Sequence, residues 1–347
     1  TAYIGQEFMS DNTTLDFNPL DRGGAAGWEA FEFSTVNPGN GEIAALWNNH
    51  YATMYNINYA LEKLAPSTID AATKSAIEGQ LKFIRAYHYF NLVRYFGDVV
   101  LVTKTLSNPN EAFDLVKSPE ADVYKQIEAD LKEAVNLLPA TYPAVGRGRA
   151  TKGAALSLLG KVYLTLKRYP EAVTTLKQVL PLGYSLYANY KDNFDPARKN
   201  GSESVFEVQY RDSQLGWGPS RNGHYMPQQL APRGIGEEYA PYGGWGNQIP
   251  TEQIVKAFEP GDKRRQAQIL VEGDSAYFGF KMEKKWTTTG FAYTKWWQGP
   301  DKNDHSKINL KQLRFSEVLL NYAEILNESG RTGDAYTHIN RVRARAG

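Results

Sequence analysis

The chain has 347 residues, 42% hydrophobic and 22% charged, enough for one large domain or two ordinary ones with a sizeable core, and not a disordered composition. A formal charge of +1 gives no electrostatic reason to expect nucleic acid or an anionic membrane as partner. Cysteine is absent, which excludes disulfides, thiolate metal sites and a cysteine nucleophile, and no apolar run reaches the length of a bilayer span.

In chain order, residues 1–41 are rich in Asp, Asn, Gly and Thr, carry scattered aromatics including Trp28, and read as loops and short turns. Ile43 to Leu64 predicts a helix whose apolar residues include Leu46, Trp47, Tyr51, Met54, Tyr55, Ile57 and Leu61. After the Pro66-Ser67-Thr68 break, Asp70 opens a run into a second helix. Ile77, Leu81, Ile84, His88, Leu92 and Tyr95 fall at steps of four and three along it, and Phe83, Tyr87, Phe90 and Val93 fill its other sides. A helix apolar nearly all round must be covered on most sides. It ends at Gly97, which accepts a C-cap conformation without steric cost, and Val99 to Val102 read as a short buried extended segment. Arg85, Asn91 and Arg94 therefore need partners, and His88 reads as a satisfied core residue. A further helix starts at Ser118-Pro119-Glu120, with Pro at a first-turn position, and runs through Val123, Ile127, Leu131 and Ala134 to Leu138 before Pro139.

Between Thr151 and Leu180, Leu156, Leu159, Gly160 and Tyr163, then Ala172, Leu176 and Val179, follow the tetratricopeptide pattern of two antiparallel helices. Gly160 and Ala172 are small where such helices approach most closely, Pro170 marks the turn, and Tyr184 replaces the usual closing proline. Leu319, Tyr322, Ala323 and Leu326, then Ala335, Ile339 and Val342, repeat the same offsets far downstream. A repeat pair cannot bury its apolar face alone, so the segments at 151–180 and 309–342 are expected in one packed helical array. The long insertion between them, 183–308, opens with a predicted strand at Ser204 to Tyr210 and then turns rich in Gly, Pro, Trp and Tyr. Five of the seven tryptophans lie in it: Trp217, Trp245, Trp286, Trp296 and Trp297.

Several of these stretches carry a family likeness. IRAYHYFNLVRYFGDVVLV resembles the signature helix of the SusD/RagB family, departing from it at Val100, where the family has proline. SESVFEVQY, GGWGNQIPTEQIVKAFEPGDKRR, LRFSEVLLNYAEILNESG and INRVRARAG are similar to further segments of the same family, in the same order. The resemblance implies a mostly α fold, with tetratricopeptide-like helical repeats in a right-handed array at 43–182 and 309–347, and a loop-rich ligand-binding insertion with short β-strands at 183–308. It also implies a cell-surface outer-membrane lipoprotein that binds an oligosaccharide, or in the RagB branch a peptide, and passes it to a SusC-like TonB-dependent transporter. Family members begin with a lipidated cysteine and continue beyond the Arg-Ala-Gly motif, so the chain as given is expected to be a piece of a longer protein. A soluble tetratricopeptide scaffold is the alternative of another class, and the long aromatic insertion argues against it.

No catalytic constellation emerges. The five histidines have no metal-binding spacing, no nucleophile elbow is present, and Glu237-Glu238 are adjacent rather than facing across a sugar. Asp301, Asn303 and Asp304 have calcium-type oxygens, but a solvated loop is the simpler reading. No cofactor and no metal are therefore expected. Sugars present apolar C–H faces between hydroxyls, and an exposed indole covers such a face while its N–H stays available. Trp217, Tyr225 and Trp245, in Gly-rich sequence that no helical pattern claims, are the candidate platforms, with Trp28 next. Trp296 and Trp297 read as core or strand residues, and Trp47 as a packed helical one.

Overall fold

The fold is taken from a computed structural model; the structure describes residues 7–16, 26–211, 223–236, 238–239, 243–276, 278–297 and 306–347. A short strand, β1 (Thr13–Thr14), and helix α1 (Ala26–Glu32) precede the first long helix, α2 (Gly41–Leu64). Helices α3 (Ala71–Phe96), α4 (Glu120–Leu137), α5 (Lys152–Thr165) and α6 (Tyr169–Lys177) follow. The insertion contributes β2 (Ser204–Val208), α7 (Met226–Leu230), β3 (Ile249–Pro250), α8 (Glu252–Ala257), α9 (Lys263–Gln268), β4 (Ile269–Leu270), β5 (Ala292–Tyr293) and β6 (Leu310–Arg314). The chain then returns to helix in α10 (Phe315–Glu328) and α11 (Thr332–Ala346).

Local chemistry sets the helix ends. The Asn40 side chain accepts from the backbone N–H of Glu42 and Ile43, Asp70 caps Thr73, and Thr151 caps Ala154. Gly97 ends α3 at φ 67°, donating its N–H to Val93, as its place in the sequence requires. Val99 then forms an antiparallel bridge with Ser118, and Tyr51 donates its hydroxyl to the Val100 carbonyl, so the exit is fixed without the family proline.

The helices pack in series, α2 on α3, α3 on α4, α4 on α5, α5 on α6, α6 on α10 and α10 on α11. The two distant repeat segments therefore belong to one array around a single apolar cluster. Its closest approach uses the small residue anticipated from the sequence: a Cβ on Gly160 would lie 2.1 Å from Leu176 Cδ2. Tyr184, in place of the closing proline, crosses Gly153, where a Cβ would meet its hydroxyl at 2.3 Å.

α3 is covered on most of its sides, as its sequence predicts: Phe83, Ala86, Tyr89, Phe90, Leu92 and Val93 are buried, and Leu81, Ile84 and His88 are half-buried. The Tyr89 hydroxyl both donates to the Val102 carbonyl and accepts from the Val102 N–H, binding the helix to the segment that follows it. Two expectations need correction. The second helical part begins at Phe315 rather than at 309, because 310–314 form β6, the antiparallel partner of β2. This ribbon is where the insertion leaves and rejoins the array. Finally, residues 26–32 are helical where loops and short turns are expected. Phe8, Leu15, Trp28 and Phe31 share a second apolar cluster with Tyr190, Phe194, Met226, Leu230 and Trp296, and β1 pairs with β3.

Arg85, Asn91 and Arg94 of α3 all have partners. Arg85 donates from Nε and Nη2 to the two carboxylate oxygens of Asp130 at 2.8 and 2.6 Å, and from Nη1 to Asn58. Asn91 donates to the Tyr87 carbonyl, and Arg94 donates to the Phe90 carbonyl and to Asn91. His88 meets His50, with Nδ1 to Nδ1 at 2.9 Å, and burial lowers both imidazoles to about 4. At the root of the insertion, Lys311 Nζ lies 2.9 Å from Glu207 and Arg345 Nη1 donates to Glu203 at 2.9 Å, both pairs buried. Burial pushes the Glu207 carboxyl up, but the adjacent Lys311 ammonium and its hydrogen bonds bring it below the usual range.

Candidate functional site

Tyr225 is placed by the residue before it. His224 Nδ1 accepts from the Met226 N–H at 3.2 Å, so the ring proton sits on Nε2, which donates to the Ile308 carbonyl at 2.8 Å. The His224 backbone exchanges both hydrogen bonds with Ser306. Met226 and Leu230 anchor α7 in the cluster around Trp296, leaving Tyr225 half-buried at its edge.

The segment 243–248 lies directly against α7. The Trp245 N–H donates to the Gln228 carbonyl at 2.7 Å, Gly246 to Ala231 at 3.0 Å and Gln248 to Gln229 at 3.1 Å. A side chain at residue 244 would prevent this, because a Cβ on Gly244 would lie 2.0 Å from the Pro232 carbonyl oxygen. The close approach brings the half-buried Trp245 ring to Tyr225, with centroids 6.0 Å apart and planes tilted by 36°. Below the pair, Asn247 donates to Gln229 at 2.8 Å and Arg233 donates to Asn247 at 3.4 Å. Asp16 holds the same turn from the N-terminal segment, donating its N–H to the Gly246 carbonyl and accepting from Thr288 N–H. The pair is a rigid aromatic edge on a backbone fixed by buried amides, an arrangement suited to covering the C–H face of a polyhydroxylated ring.

The structure thus brings together two of the four candidate platforms. Trp217 lies outside the described residues. Trp28 belongs to α1, is 6% exposed, and is packed between Phe8 at 6.2 Å and Phe31 at 5.7 Å. Its indole is core, and the irregular sequence around it concealed a one-sided helix. Trp296 and Trp297 are buried and Trp47 packs on Tyr51 and Phe96, as expected.

Further along the same segment, a cavity of about 180 Å³ opens between α7, β1, β5 and the region of α8 and α9. Glu7, Asn12, Gln248, Gln268, Lys295 and Trp296 contribute to its walls. No sequence motif marks it, because its lining comes from remote places in the chain.

Among the described residues, no group of three or more His, Asp or Glu is gathered to hold a metal ion, and Asp301, Asn303 and Asp304 lie outside them. The acidic residues nearest the root of the insertion, Glu203 and Glu207, are committed to buried ion pairs. Among the described residues no helix is long and apolar enough to cross a membrane.

Known proteins resemble the chain over nearly all its length. A family model described as starch-binding associating with outer membrane matches residues 12–164, and the SusD family model matches residues 266–347. A SusD-like protein of Formosa agariphila is 28% identical over 330 residues, covering 90% of this chain and 64% of the relative. A SusD-like protein of Bacteroides ovatus is 26% identical, covering 88% of this chain and 59% of the relative. The chain therefore spans less than two thirds of the length of these curated relatives. Among solved structures, a SusD-like protein from Bacteroides fragilis superposes with a TM-score of 0.82 at 26% identity, covering 99% of this chain and 75% of its own. A laminarin-binding SusD-like protein superposes with a TM-score of 0.84 at 27% identity, covering 99% of this chain and 78% of its own.

Proposed function

The chain belongs to the SusD/RagB family, and from that premise we propose that it captures an oligosaccharide at the cell surface and delivers it to a SusC-like TonB-dependent transporter of the outer membrane. The family is one of carbohydrate-binding, outer-membrane-associated proteins, and binding without a chemical step is the role that follows. The observation that supports the reading is the half-buried Tyr225–Trp245 pair, held on a backbone that Gly244 lets approach α7. Each aromatic face contributes roughly 1–2 kcal/mol through apolar burial. Two or three such contacts, about 2–6 kcal/mol together, give affinities of roughly tens of millimolar to tens of micromolar, weak enough for onward release. Trp217 is retained as a third platform.

Laminarin is the first ligand to try, since a relative of matching fold binds it. The test is a panel of neutral and acidic oligosaccharides and of peptides, titrated against the folded chain. Binding of one or more oligosaccharides is expected; binding of peptides alone would move the protein to the RagB type, and binding of neither would overturn the reading. For the partner, isolation of the full-length protein from native outer membranes is expected to bring a β-barrel transporter with it. A preparation free of any barrel would remove that half of the proposal.

A further inference from the structure

The cavity beside α7 is separate from the aromatic pair yet within its reach. Gln248 on its wall follows Trp245 by three residues, so their Cα atoms are at most about 11 Å apart. Leu230, also on its wall, closes the helix that Tyr225 opens. We propose that this cavity is a pocket for the terminal unit of the bound oligosaccharide, so that the ligand is held by one end rather than along its middle. The proposal rests on the reading of Tyr225 and Trp245 as the platform that carries the rest of the chain.

Size gives the first argument. A volume of about 180 Å³ lies below the roughly 300–1,000 Å³ of pockets that take drug-sized molecules, so a single ring fills it. The lining gives the second. Leu230, Ile254, Phe258 and Trp296 supply apolar wall, and Trp296 is otherwise buried at 4% exposure. Glu7, Asn12 and Gln268 line the cavity, and among the described residues no hydrogen bond engages their side chains, so one carboxylate and two amides at its wall keep hydrogen-bonding capacity for a ligand. Tyr293, by contrast, is already used: it donates to the Asn12 carbonyl at 2.9 Å and accepts from the Thr13 hydroxyl at 2.9 Å, shaping the wall rather than offering a contact.

Charge gives the third argument. The lining holds one carboxylate, Glu7, and one ammonium, Lys295, whose Nζ lies 5.3 Å from the centroid of Phe194 and 5.4 Å from that of Trp296. A lining with one charge of each sign, amides between them and apolar wall around them suits an uncharged ring with several hydroxyls.

Laminarihexaose is the probe. Saturation-transfer NMR on the wild-type chain is expected to show the strongest transfer at one terminal glucose, and equal transfer to all units would overturn the pocket. In calorimetry, Glu7→Ala and Gln268→Ala are each expected to weaken binding about tenfold, the scale of one lost charge-assisted or well-placed hydrogen bond, with the unfolding midpoint unchanged. Wild-type affinity in both variants, while Trp245→Ala loses binding, would overturn the pocket and leave the platform standing. Wild-type affinity in all three would overturn both, as would failure of the wild-type chain to bind laminarihexaose or any neutral oligosaccharide of the panel.

Discussion

The helical array and the body built on its insertion bury their apolar surface in different ways. In the array, α2 to α6 and α10 to α11 lie against one another around a single cluster, with Gly160 where α5 meets Leu176 of α6. In the insertion, two smaller clusters form around Trp296 and Trp297, most strands have two residues, and buried amides such as Gln228, Gln229, Asn247 and Gln248 fill the space between them. An array of long helices satisfies its backbone internally and can devote its side chains to packing. In the body of short elements the backbone is satisfied between segments, the N–H groups of Trp245, Gly246 and Gln248 reaching the carbonyls of Gln228, Ala231 and Gln229, and these bonds fix the aromatic edge proposed as the ligand platform. The array is thus expected to govern stability, and the insertion to govern affinity.

The largest effect that sharpens this contrast is expected at Asp130→Ala. It leaves Arg85 buried without its bidentate partner, at a cost of about 3–5 kcal/mol in denaturant unfolding. Glycan affinity of the fraction that remains folded is expected to be unchanged. Gly160→Leu comes next, overpacking the α5–α6 contact against Leu176 by on the order of 1–3 kcal/mol, and an unchanged unfolding midpoint would count against the single array.

A pH effect follows in size. Burial holds His50 and His88 at about 4, against the ordinary 6.5, so between those values the unfolded chain binds more protons than the folded one. Stability is therefore full above about pH 6.5 and falls as the pH drops toward 4. The double variant His50→Gln/His88→Gln is expected to flatten this slope in urea titrations at several pH values. A slope equal to that of the wild type would place the acid sensitivity elsewhere.

The same contrast explains what the sequence revealed. The array was legible because helical periodicity and small-residue spacing act within a few turns: Gly97 as a cap, and Gly160 opposite Leu176, follow from local pattern. The partners of its polar groups were not legible, since Asp130 reaches Arg85 and His50 reaches His88 across separate helices. In the insertion almost nothing is local. In the N-terminal segment packed on it, Trp28 reads as a loop residue because the apolar cluster it joins is completed by distant residues such as Phe194 and Trp296. Tyr225 and Trp245 stood out by composition, but their meeting depends on Gly244 and on the bonds from 245–248 to α7, which no spacing rule encodes. The cavity, lined from Glu7 to Trp296, had no signal at all.

The most direct measurement is calorimetric titration of the folded Trp245→Ala variant with the oligosaccharide that binds the wild type best, alongside its thermal unfolding; Trp217→Ala is the parallel test of the third platform. Trp245 is half-buried and outside every helix, so its removal is expected to abolish measurable binding while moving the unfolding midpoint little. Wild-type affinity in a folded Trp245→Ala variant would contradict the assignment of the site, and a collapse of the midpoint together with the affinity would make the pair a structural contact rather than a ligand platform.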